Sequence, residues 1–376
     1  MLVERGMTMD DNKYQSIQER IKKSIGDNEK AVVFGCGAVA GMLCHALRDL
    51  KIEAEYFIVN DGHRKEAFCQ GKRVLEVSEI TQSSDIGVVY YGINEKSDAI
   101  AEKVREAFGE RLIYEDYKVV LCALLEEFYR EYFAKHNIDI TQDELCLGEC
   151  KLVNPFRKDV SYRLELLTPL RDIVLPIMFD DYEHIDEGTY ELGSVRLEAG
   201  QVIFDCGANV GVFSAVAASR GAQVYAFEPI EQVVQQLRET QALYPEQIHT
   251  VPFALSDKIS SEDFYVDEGY GAVCTMCGEL SGKSSKKISI QTTTIDSFIE
   301  ENHVEKLDMI KADIEGAERH MLLGAADTLR RMQPKLAIAT YHLPDDAEVL
   351  ARIIHEINPA YLITHKWKML YAYVPQ

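Results

Sequence analysis

Near the middle of the chain, an acid and two glycines directly follow an apolar run. Asp205, Gly207 and Gly211 come after residues 202–204. Glycine lets a backbone approach a ligand without a Cβ clash, and the N-terminus of a following helix offers free N–H groups to an anion. Asp205 could attract an ammonium group. The segment therefore predicts a site for a ligand that carries both a carboxylate and an ammonium group.

A second acid is spaced to bind a ribose. Glu228 ends the next apolar run, 23 residues after Asp205. A carboxylate at the end of the second strand of a parallel sheet can accept hydrogen bonds from both ribose hydroxyls. S-adenosylmethionine combines a ribose with a methionine tail. NAD would favour a third glycine and no leading acid, because Asp205 would repel a diphosphate. We therefore expect S-adenosylmethionine as the cofactor.

Two candidate catalytic residues follow later apolar runs. Asp313 is predicted at the end of the fourth strand, where it could orient an acceptor hydroxyl or take its proton. His342, at the end of the fifth strand, is the competing base, since the ordinary pKa of histidine is near neutrality. Glu315 and Glu318 are predicted in the first turn of a helix, where the macrodipole favours carboxylates. Lys311, inside the fourth strand, could pair with an acid.

Asp313, Glu315 and His342 are also of the types that bind divalent metal ions. The sequence does not show whether they converge, so no metal site is predicted. Two cysteine pairs, Cys146 with Cys150 and Cys274 with Cys277, could supply four zinc ligands. They lie far apart in the chain and lack a knuckle-like glycine context, so we expect free thiols.

Alternating strands and helices would place the candidate residues at one edge of a sheet. Strands are predicted at 201–207, 223–229, 248–256, 307–314 and 335–342, followed by a terminal pair at 360–366 and 369–374. Strand, glycine turn, helix and strand form a parallel βαβ unit. A single long helix is predicted at 315–332, and the polar stretch 258–290 shows no regular pattern. This order is typical of the class I methyltransferase sheet with one antiparallel strand.

The first part of the chain carries a similar turn. Residues 35–41 have the spacing GxGxxxG, one residue longer than the dinucleotide fingerprint, and Asn60 and Asp61 end the next predicted strand. The pattern predicts a small Rossmann-like domain. It could bind a nucleotide or nucleotide-sugar, or serve as a docking or dimerisation module without a ligand.

The predicted fold class is therefore α/β. We expect a class I methyltransferase (Rossmann-like) C-terminal domain, a smaller N-terminal Rossmann-like α/β domain and a helical connector. The predicted segments are a leader helix at 1–27, the Rossmann-like N-terminal domain at 28–117, the helical connector at 118–186 and the class I methyltransferase domain at 187–376.

Composition narrows the classes of partner. Forty Lys and Arg against 62 Asp and Glu give a formal charge of −22, which disfavours nucleic acid and anionic membrane surfaces. No apolar run of about 18 residues and no secretory signal is present, so a cytoplasmic protein is expected. The expected partner is a small-molecule or glycan acceptor, and a homodimer is possible.

Four sequence blocks resemble the FkbM-type methyltransferase family over roughly residues 187–345. The blocks are 204–211, 226–229, 254–257 and 310–318. The resemblance implies a class I fold, S-adenosylmethionine as cofactor, and O-methylation of a sugar or natural-product hydroxyl. It carries over Gly207, Asn209 and Glu228 as cofactor contacts, and the third block adds Ser256 and Asp257. The sequence departs from the family at 274–277, where Cys-Thr-Met-Cys replaces a small or polar run.

Three functions are compatible with these patterns. The first is an S-adenosylmethionine-dependent methyltransferase that acts on a hydroxyl of a sugar, glycan or small metabolite. The second is an NAD-dependent oxidoreductase that uses the turn at 35–41. The third is a non-catalytic nucleotide-binding or scaffold protein.

Overall fold

The computed structural model describes residues 11–26, 30–80, 86–92, 98–267, 274–275 and 285–375. The chain forms two compact units. The first comprises Met1–Ile138 and Phe156–Leu167, and the second comprises Asp139–Pro155 and Thr168–Gln376. The domain limits expected from the sequence remain a prediction.

The first unit is built around a six-stranded sheet. Its elements are α1 (Asp11–Gly26), β1 (Ala31–Phe34), α2 (Ala38–Asp49), β2 (Ala54–Val59), β3 (Phe68–Cys69), β4 (Lys72–Glu76), α3 (Val77–Ile80), β5 (Val88–Tyr91), α4 (Asp98–Phe108), β6 (Leu112–Ile113), α5 (Tyr117–Lys135) and α6 (Val160–Leu167). The strand order is β3-β4-β2-β1-β5-β6, and only β3 runs antiparallel to its neighbour. The central strands β1 and β5 are apolar and fully buried, as is typical of parallel strands that helices cover.

Helix α5 carries a buried acid that is surrounded by cations. Glu126 accepts hydrogen bonds from the Tyr14 hydroxyl at 2.8 Å and from Arg163 Nη1 at 2.7 Å. Arg130 donates to the other carboxylate oxygen at 2.6 Å. We call Tyr14, Glu126, Arg130 and Arg163 the Glu126 cluster. Its one carboxylate is fully matched by positive charge and hydrogen bonds.

The segment expected as a helical connector, 118–186, contains strands as well as helices. The strands β7 (Asp139–Ile140), β8 (Glu144–Leu147) and β9 (Cys150–Val153) form a three-stranded antiparallel sheet in the second unit, and α7 (Val174–Phe179) follows. Upstream, β6 is short and spans only Leu112–Ile113. The reason is local: the Asp116 side chain accepts a hydrogen bond from the Lys118 N–H and caps α5.

The second unit contains a seven-stranded sheet with helices between its strands. Its further elements are β10 (Val202–Cys206), α8 (Val212–Ser219), β11 (Gln223–Phe227), α9 (Glu231–Leu243), β12 (Ile248–Val251), β13 (Ala254–Leu255), β14 (Ser260–Asp267), β15 (Cys274–Thr275), β16 (Ser285–Thr293), α10 (Ile295–Glu301), β17 (Met309–Ala312), α11 (Glu318–Leu323), α12 (Ala326–Arg331), β18 (Lys335–Ala339), α13 (Asp346–Ile357), β19 (Leu362–Lys366) and β20 (Met369–Tyr373). The sheet order is β12-β11-β10-β17-β18-β20-β19. Only β20 runs antiparallel to its neighbours. This is the class I methyltransferase arrangement, and the predicted fold class is confirmed.

The chain order reverses between β10 and β17, which are hydrogen-bonded neighbours. In open α/β sheets, ligands bind beyond the carboxyl ends of the strands at such a switch point. Buried aromatic rings of Phe204, Phe227 and Phe298 pack on one another beneath this region. The core thus fixes the strands that carry the candidate residues.

Two expectations for this unit were wrong. The polar stretch 258–290 contains β14 and β16, which pair antiparallel and join β13 and β15 in a four-stranded sheet. Hydrogen bonds between hydroxyl groups on the two strands, such as Ser261 to Ser289 at 2.7 Å, link these polar strands. Their sequences therefore lack the alternating apolar pattern that predicts a strand. The helix expected at 315–332 begins only at Glu318 and is interrupted at Gly324, where any Cβ would overlap the Ser256 carbonyl oxygen.

Among the described residues, no helix combines the length and the apolar character that crossing a bilayer requires. Cys146 and Cys150 are free thiols on β8 and β9. Cys277, part of the second cysteine pair, lies outside the described residues.

Candidate functional site

The turn after β10 is shaped by contacts with the protein itself. Gly207 and Gly211 have φ values of +77° and +86°, which favour glycine. A Cβ on Gly207 would overlap the Asp313 carbonyl oxygen, and one on Gly211 would lie 2.7 Å from Leu237 Cδ1. The glycines were expected to make room for a ligand. The structure shows that they make room for β17 and α9, which pack against the turn.

Glu228 faces this turn from the end of β11. The residue is 7% exposed, and its carboxylate accepts a hydrogen bond from the Asn209 N–H at 3.2 Å. The other carboxylate oxygen accepts from the Ile230 N–H at 3.0 Å. These two bonds fix the side chain beside residues 207–211. The acid that the sequence assigns to a ribose therefore lies at the turn.

Asp205 lies beneath the turn, with no exposed surface. Its carboxylate accepts a hydrogen bond from the Ser214 hydroxyl at 2.6 Å and pairs with Lys311 Nζ at 2.9 Å. Lys311 Nζ also donates to the Gly207 carbonyl oxygen at 2.7 Å. The expectation that Asp205 attracts a ligand ammonium is therefore corrected, because its charge is already matched by a buried lysine. Its position instead supports the turn.

Ser256 and Asp257 follow β13. The Ser256 N–H donates to the Thr293 carbonyl oxygen at 3.0 Å, and its hydroxyl donates to Asp257 at 3.2 Å. Asp257 is half-exposed and lies 3.4 Å from His320 Nδ1 on α11. A contact of these two residues with a cofactor remains a prediction.

Asp313 directly follows β17, and its N–H donates to the Cys206 carbonyl oxygen at 3.0 Å. Its carboxylate accepts hydrogen bonds from the Tyr190 hydroxyl at 2.8 Å and from the Tyr341 hydroxyl at 3.0 Å. Burial opposes its charge, but the contact with His342 and the nearby Lys311 hold the pKa of Asp313 well below its usual range. Asp313 is therefore an ionised carboxylate at the end of the fourth strand.

His342 is surrounded by three carboxylates. Its Nε2 lies 3.3 Å from Asp313 Oδ1 and 3.5 Å from Glu315 Oε2, and its Nδ1 lies 3.0 Å from Glu318 Oε1. We call these four residues the His342 cluster. Burial disfavours the charged ring, but Asp313 and Glu318 raise the pKa of His342 to about 11. A protonated imidazole has no lone pair to accept a proton, so the expected role of His342 as a base is not supported.

Glu315 and Glu318 differ in their surroundings. Glu318 begins α11, is fully buried and accepts a hydrogen bond from the Ile314 N–H at 2.8 Å, in line with the helix-terminus prediction. Glu315 lies before the helix with a φ of +55°. Burial raises the pKa of Glu315 to about 8 against the opposing effect of His342, and the charge of Asp313 adds to the rise.

Sequence reasoning missed the two tyrosines on Asp313 and the segment that carries one of them. Tyr190 lies in an irregular stretch without periodicity, so no local signal marked it. Tyr341 adjoins His342 in the sequence, and this adjacency was a usable signal. Glu187, in the same stretch as Tyr190, accepts a hydrogen bond on its carbonyl oxygen from the Lys368 N–H at 2.9 Å, and the neighbouring Trp367 packs against Gly188.

The turn of the first unit has different surroundings. A Cβ on Gly37 would meet nothing within 4 Å, whereas one on Gly41 would overlap the Gln70 side chain. Cys69 lies 3.2 Å from the Cys36 carbonyl oxygen. The Asp61 carboxylate, expected near a ribose, accepts a hydrogen bond from the Ser78 N–H at 2.9 Å. Residues of the β3–β4 hairpin therefore cover part of this turn.

Comparison with known proteins adds to these observations. Residues 205–361 match the methyltransferase FkbM domain. The hexuronic acid methyltransferase AglP of Haloferax volcanii is 25% identical over 167 residues, which are 44% of this chain and 66% of that protein. The AMB antimetabolite synthetase AmbE of Pseudomonas aeruginosa is 25% identical over 199 residues, 43% of this chain and 9% of that protein. The chain thus spans less than two thirds of the length of either relative.

Among solved structures, the methyltransferase FkbM of Methylobacillus flagellatus is similar, with 16% identity and a TM-score of 0.42. The similarity covers 96% of this chain and 98% of that one. The family match itself begins at Asp205 and includes the turn, Glu228 and the whole His342 cluster. Over residues 205–361, this chain is therefore similar to the methyltransferase FkbM domain.

Proposed function

We propose that the second unit transfers the methyl group of S-adenosylmethionine to a hydroxyl of a sugar, glycan or small metabolite. The observation that carries this proposal is the direct packing of Gly207 on the Asp313 carbonyl oxygen. This contact places the turn beside Glu228 next to Asp313, the ionised residue that follows β17, the neighbour of β10 in the sheet. A cofactor bound at the turn and an acceptor bound at Asp313 would therefore be neighbours.

The proposed cofactor position follows from the groups at the turn. Glu228 would accept hydrogen bonds from the ribose hydroxyls, which are donors that a carboxylate can bind in pairs. The N-terminus of α8 would receive the methionine carboxylate. Asp205 and Lys311 keep the turn in shape from below, since each satisfies the other's charge. The ammonium group would be held by groups other than Asp205.

Asp313 would orient the acceptor. In the transfer step, a lone pair of the hydroxyl oxygen attacks the methyl carbon, and the carbon–sulfur bond breaks to leave neutral S-adenosylhomocysteine. The proton leaves the oxygen as the new bond forms and passes to Asp313. A carboxylate with a low pKa is a weak base, but the protonated ether is a strong acid. Correct placement of the two reactants would supply most of the rate.

The substrate class rests on two arguments. A relative with 25% identity is named a hexuronic acid methyltransferase, which supports a sugar as the acceptor. The formal charge of −22 makes a nucleic acid acceptor less favourable, because phosphates would be repelled. The acceptor is therefore sought among sugars and small hydroxylated compounds.

Calorimetric titration with S-adenosylhomocysteine tests the cofactor site. Wild-type protein should bind it, and Glu228→Ala should weaken binding about tenfold or more through the loss of charge-assisted hydrogen bonds. Glu228→Gln keeps the side-chain shape and should also weaken binding. Glu231→Ala is the matched control, because Glu231 is a neighbouring exposed acid on α9 and its loss should leave binding unchanged.

No binding of S-adenosylhomocysteine by wild-type protein would overturn the proposal. Tight binding of NADH in its place would favour an oxidoreductase that uses the turn at 35–41. Equal affinities of wild type and both Glu228 variants would show that the nucleoside binds elsewhere.

A further inference from the structure

The His342 cluster contains more negative than positive charge. Asp313, Glu315 and Glu318 each place an oxygen within 3.5 Å of the single imidazole of His342. One ligand atom each from Asp313, Glu318 and His342 also lie within 4.8 Å of one another. A fully protonated ring would balance only one of the three acids, and the pKa of Glu315, raised to about 8 by burial and by the charge of Asp313, reflects how strongly further negative charge is disfavoured there. The cluster therefore attracts further positive charge.

The spacing at Nε2 matches neighbouring ligands around one cation. Metal–nitrogen and metal–oxygen bonds of about 2.0–2.2 Å place adjacent ligand atoms roughly 3.0–3.5 Å apart in octahedral or tetrahedral geometry. Asp313 Oδ1 and Glu315 Oε2 lie 3.3 Å and 3.5 Å from Nε2. These separations are longer than a typical charge-assisted hydrogen bond of about 2.7–2.9 Å. They suit co-ligands better than hydrogen-bond partners.

Unsatisfied buried atoms supply an independent indication. The His342 side chain is 5% exposed, and neither ring nitrogen has a hydrogen bond of acceptable geometry within the described part of the chain. A buried polar atom without a partner is costly, and an ion bound at Nε2 would supply that nitrogen with one.

The surroundings resemble the outer shell of a metal site. Glu318 Oε1 lies 3.0 Å from Nδ1, on the side of the ring where a carboxylate commonly supports a metal-bound histidine, so a small rotation of the ring would bring the two into a hydrogen bond. The hydroxyls of Tyr190 and Tyr341 orient the Asp313 carboxylate. Asp313 and Glu315 are 24% and 34% exposed, which leaves a path for an ion and its waters. Buried support thus lies on one side of the ring and solvent access on the other.

We propose that the His342 cluster binds one divalent cation, with His342 Nε2, Asp313 and Glu315 as ligands and Glu318 as the buried partner of Nδ1. One imidazole and two carboxylates suit Mn²⁺, Zn²⁺ or hydrated Mg²⁺. Ligation through Nε2 replaces the ring proton, so binding releases a proton. Cation binding stands by itself. Any part of the ion in placing the acceptor beside Asp313 rests on the proposed function.

Titration of the full chain with MnCl₂ alone, followed by electron paramagnetic resonance and calorimetry, tests this proposal. Wild-type protein should bind one Mn²⁺, and pulsed spectra should show coupling to a histidine ¹⁴N nucleus. His342→Gln should abolish that coupling. Glu315→Gln and Asp313→Asn should weaken binding at least about tenfold, and Glu318→Gln about tenfold to a hundredfold, as for other supporting groups.

The chain offers a matched control in Asp181, Glu183 and His184, a second group of potential ligands. His184→Gln should leave affinity and ¹⁴N coupling unchanged. The proposal is overturned if wild type binds no Mn²⁺, if Glu315→Gln binds it normally, or if His184→Gln rather than His342→Gln removes the coupling. Because Glu315 is partly exposed, its variant should fold even if Asp313→Asn does not.

Binding of S-adenosylhomocysteine in EDTA separates this inference from the proposed function. Protein that binds Mn²⁺ but not S-adenosylhomocysteine would retain the cation site and lose the methyltransferase proposal. Protein that binds S-adenosylhomocysteine but not Mn²⁺ would do the reverse.

Discussion

In the Glu126 cluster, one carboxylate faces two guanidinium groups and a phenol, whereas in the His342 cluster three carboxylates face one imidazole. Both lie at buried positions on or beside helices. In the first, every charge has an opposite partner at 2.6–2.8 Å. In the second, the contacts to Nε2 are 3.3 Å and 3.5 Å, and several buried atoms lack a partner among the described residues.

The difference separates charge that holds a fold together from charge that is available to a ligand. Replacing both members of a complete buried ion pair by apolar groups changes the stability of a protein little. Removing only one member lowers that stability strongly, because the other charge stays buried without compensation. A cluster with surplus charge of one sign is instead strained by repulsion until an opposite charge arrives. The first kind is a structural centre, and the second is a candidate binding site.

Removal of the Glu126 carboxylate should produce the largest effect. Glu126→Ala removes the carboxylate that neutralises the largely buried guanidinium of Arg163 and should lower the free energy of unfolding of the first unit by about 3 kcal/mol. Urea unfolding combined with hydrogen exchange of the α5 amides would measure this change. Glu131→Ala, at an exposed position of the same helix, should cost less than about 0.5 kcal/mol. Equal effects of the two variants would show that the Glu126 cluster is not a structural centre.

Acid should weaken the first unit by a smaller amount. Burial opposes ionisation of Glu126, but Arg130 and Arg163 hold the pKa of its carboxyl below the ordinary value of 4.5. A lowered acid pKa contributes stability above the ordinary value, and this stability is lost as the pH falls through the lowered value. The urea midpoint should therefore fall between about pH 5 and pH 3 more steeply in wild type than in Glu126→Gln. Parallel pH profiles would contradict this assignment.

Neutralisation of one acid in the His342 cluster should have the smallest effect on stability. With EDTA present at pH 7, Glu315→Gln replaces a carboxyl that is largely protonated below its pKa of about 8, so it should change the free energy of unfolding by less than about 1 kcal/mol in either direction. The same urea titration measures it. A loss above about 2 kcal/mol would mean that Glu315 is a required partner of His342, and the contrast between the clusters would disappear.

Sequence patterns predicted the parts of the molecule that depend on local periodicity. The parallel strands, the antiparallel end of the sheet and the position of Glu228 beside the glycine turn all follow from short apolar runs and the residues after them. The expectation that Lys311 pairs with an acid is also confirmed, by its contact with Asp205. Each of these features is encoded within one strand or one strand-to-helix turn.

The missed features depend on contacts between distant segments. Tyr190 reaches Asp313 across 123 residues of sequence, and no periodicity marks its segment. The sequence suggests that Asp205 binds a ligand, because it does not show that Lys311 and Ser214, on other elements, already satisfy its carboxylate. The strands at 260–267 and 285–293 are polar and bind each other through backbone and hydroxyl groups. Tertiary contacts, and no local sequence pattern, bring these residues together.

The sole tryptophan of the chain occupies an informative place. Trp367 lies against Gly188 at the tight bend between β19 and β20, where the adjacent Lys368 binds the Glu187 carbonyl oxygen. Tyr190, two residues beyond Gly188, touches Asp313. Intrinsic fluorescence excited near the red edge of the indole band therefore comes from one known location. Its intensity and emission maximum offer a label-free optical record of any rearrangement of this bend as small molecules are added.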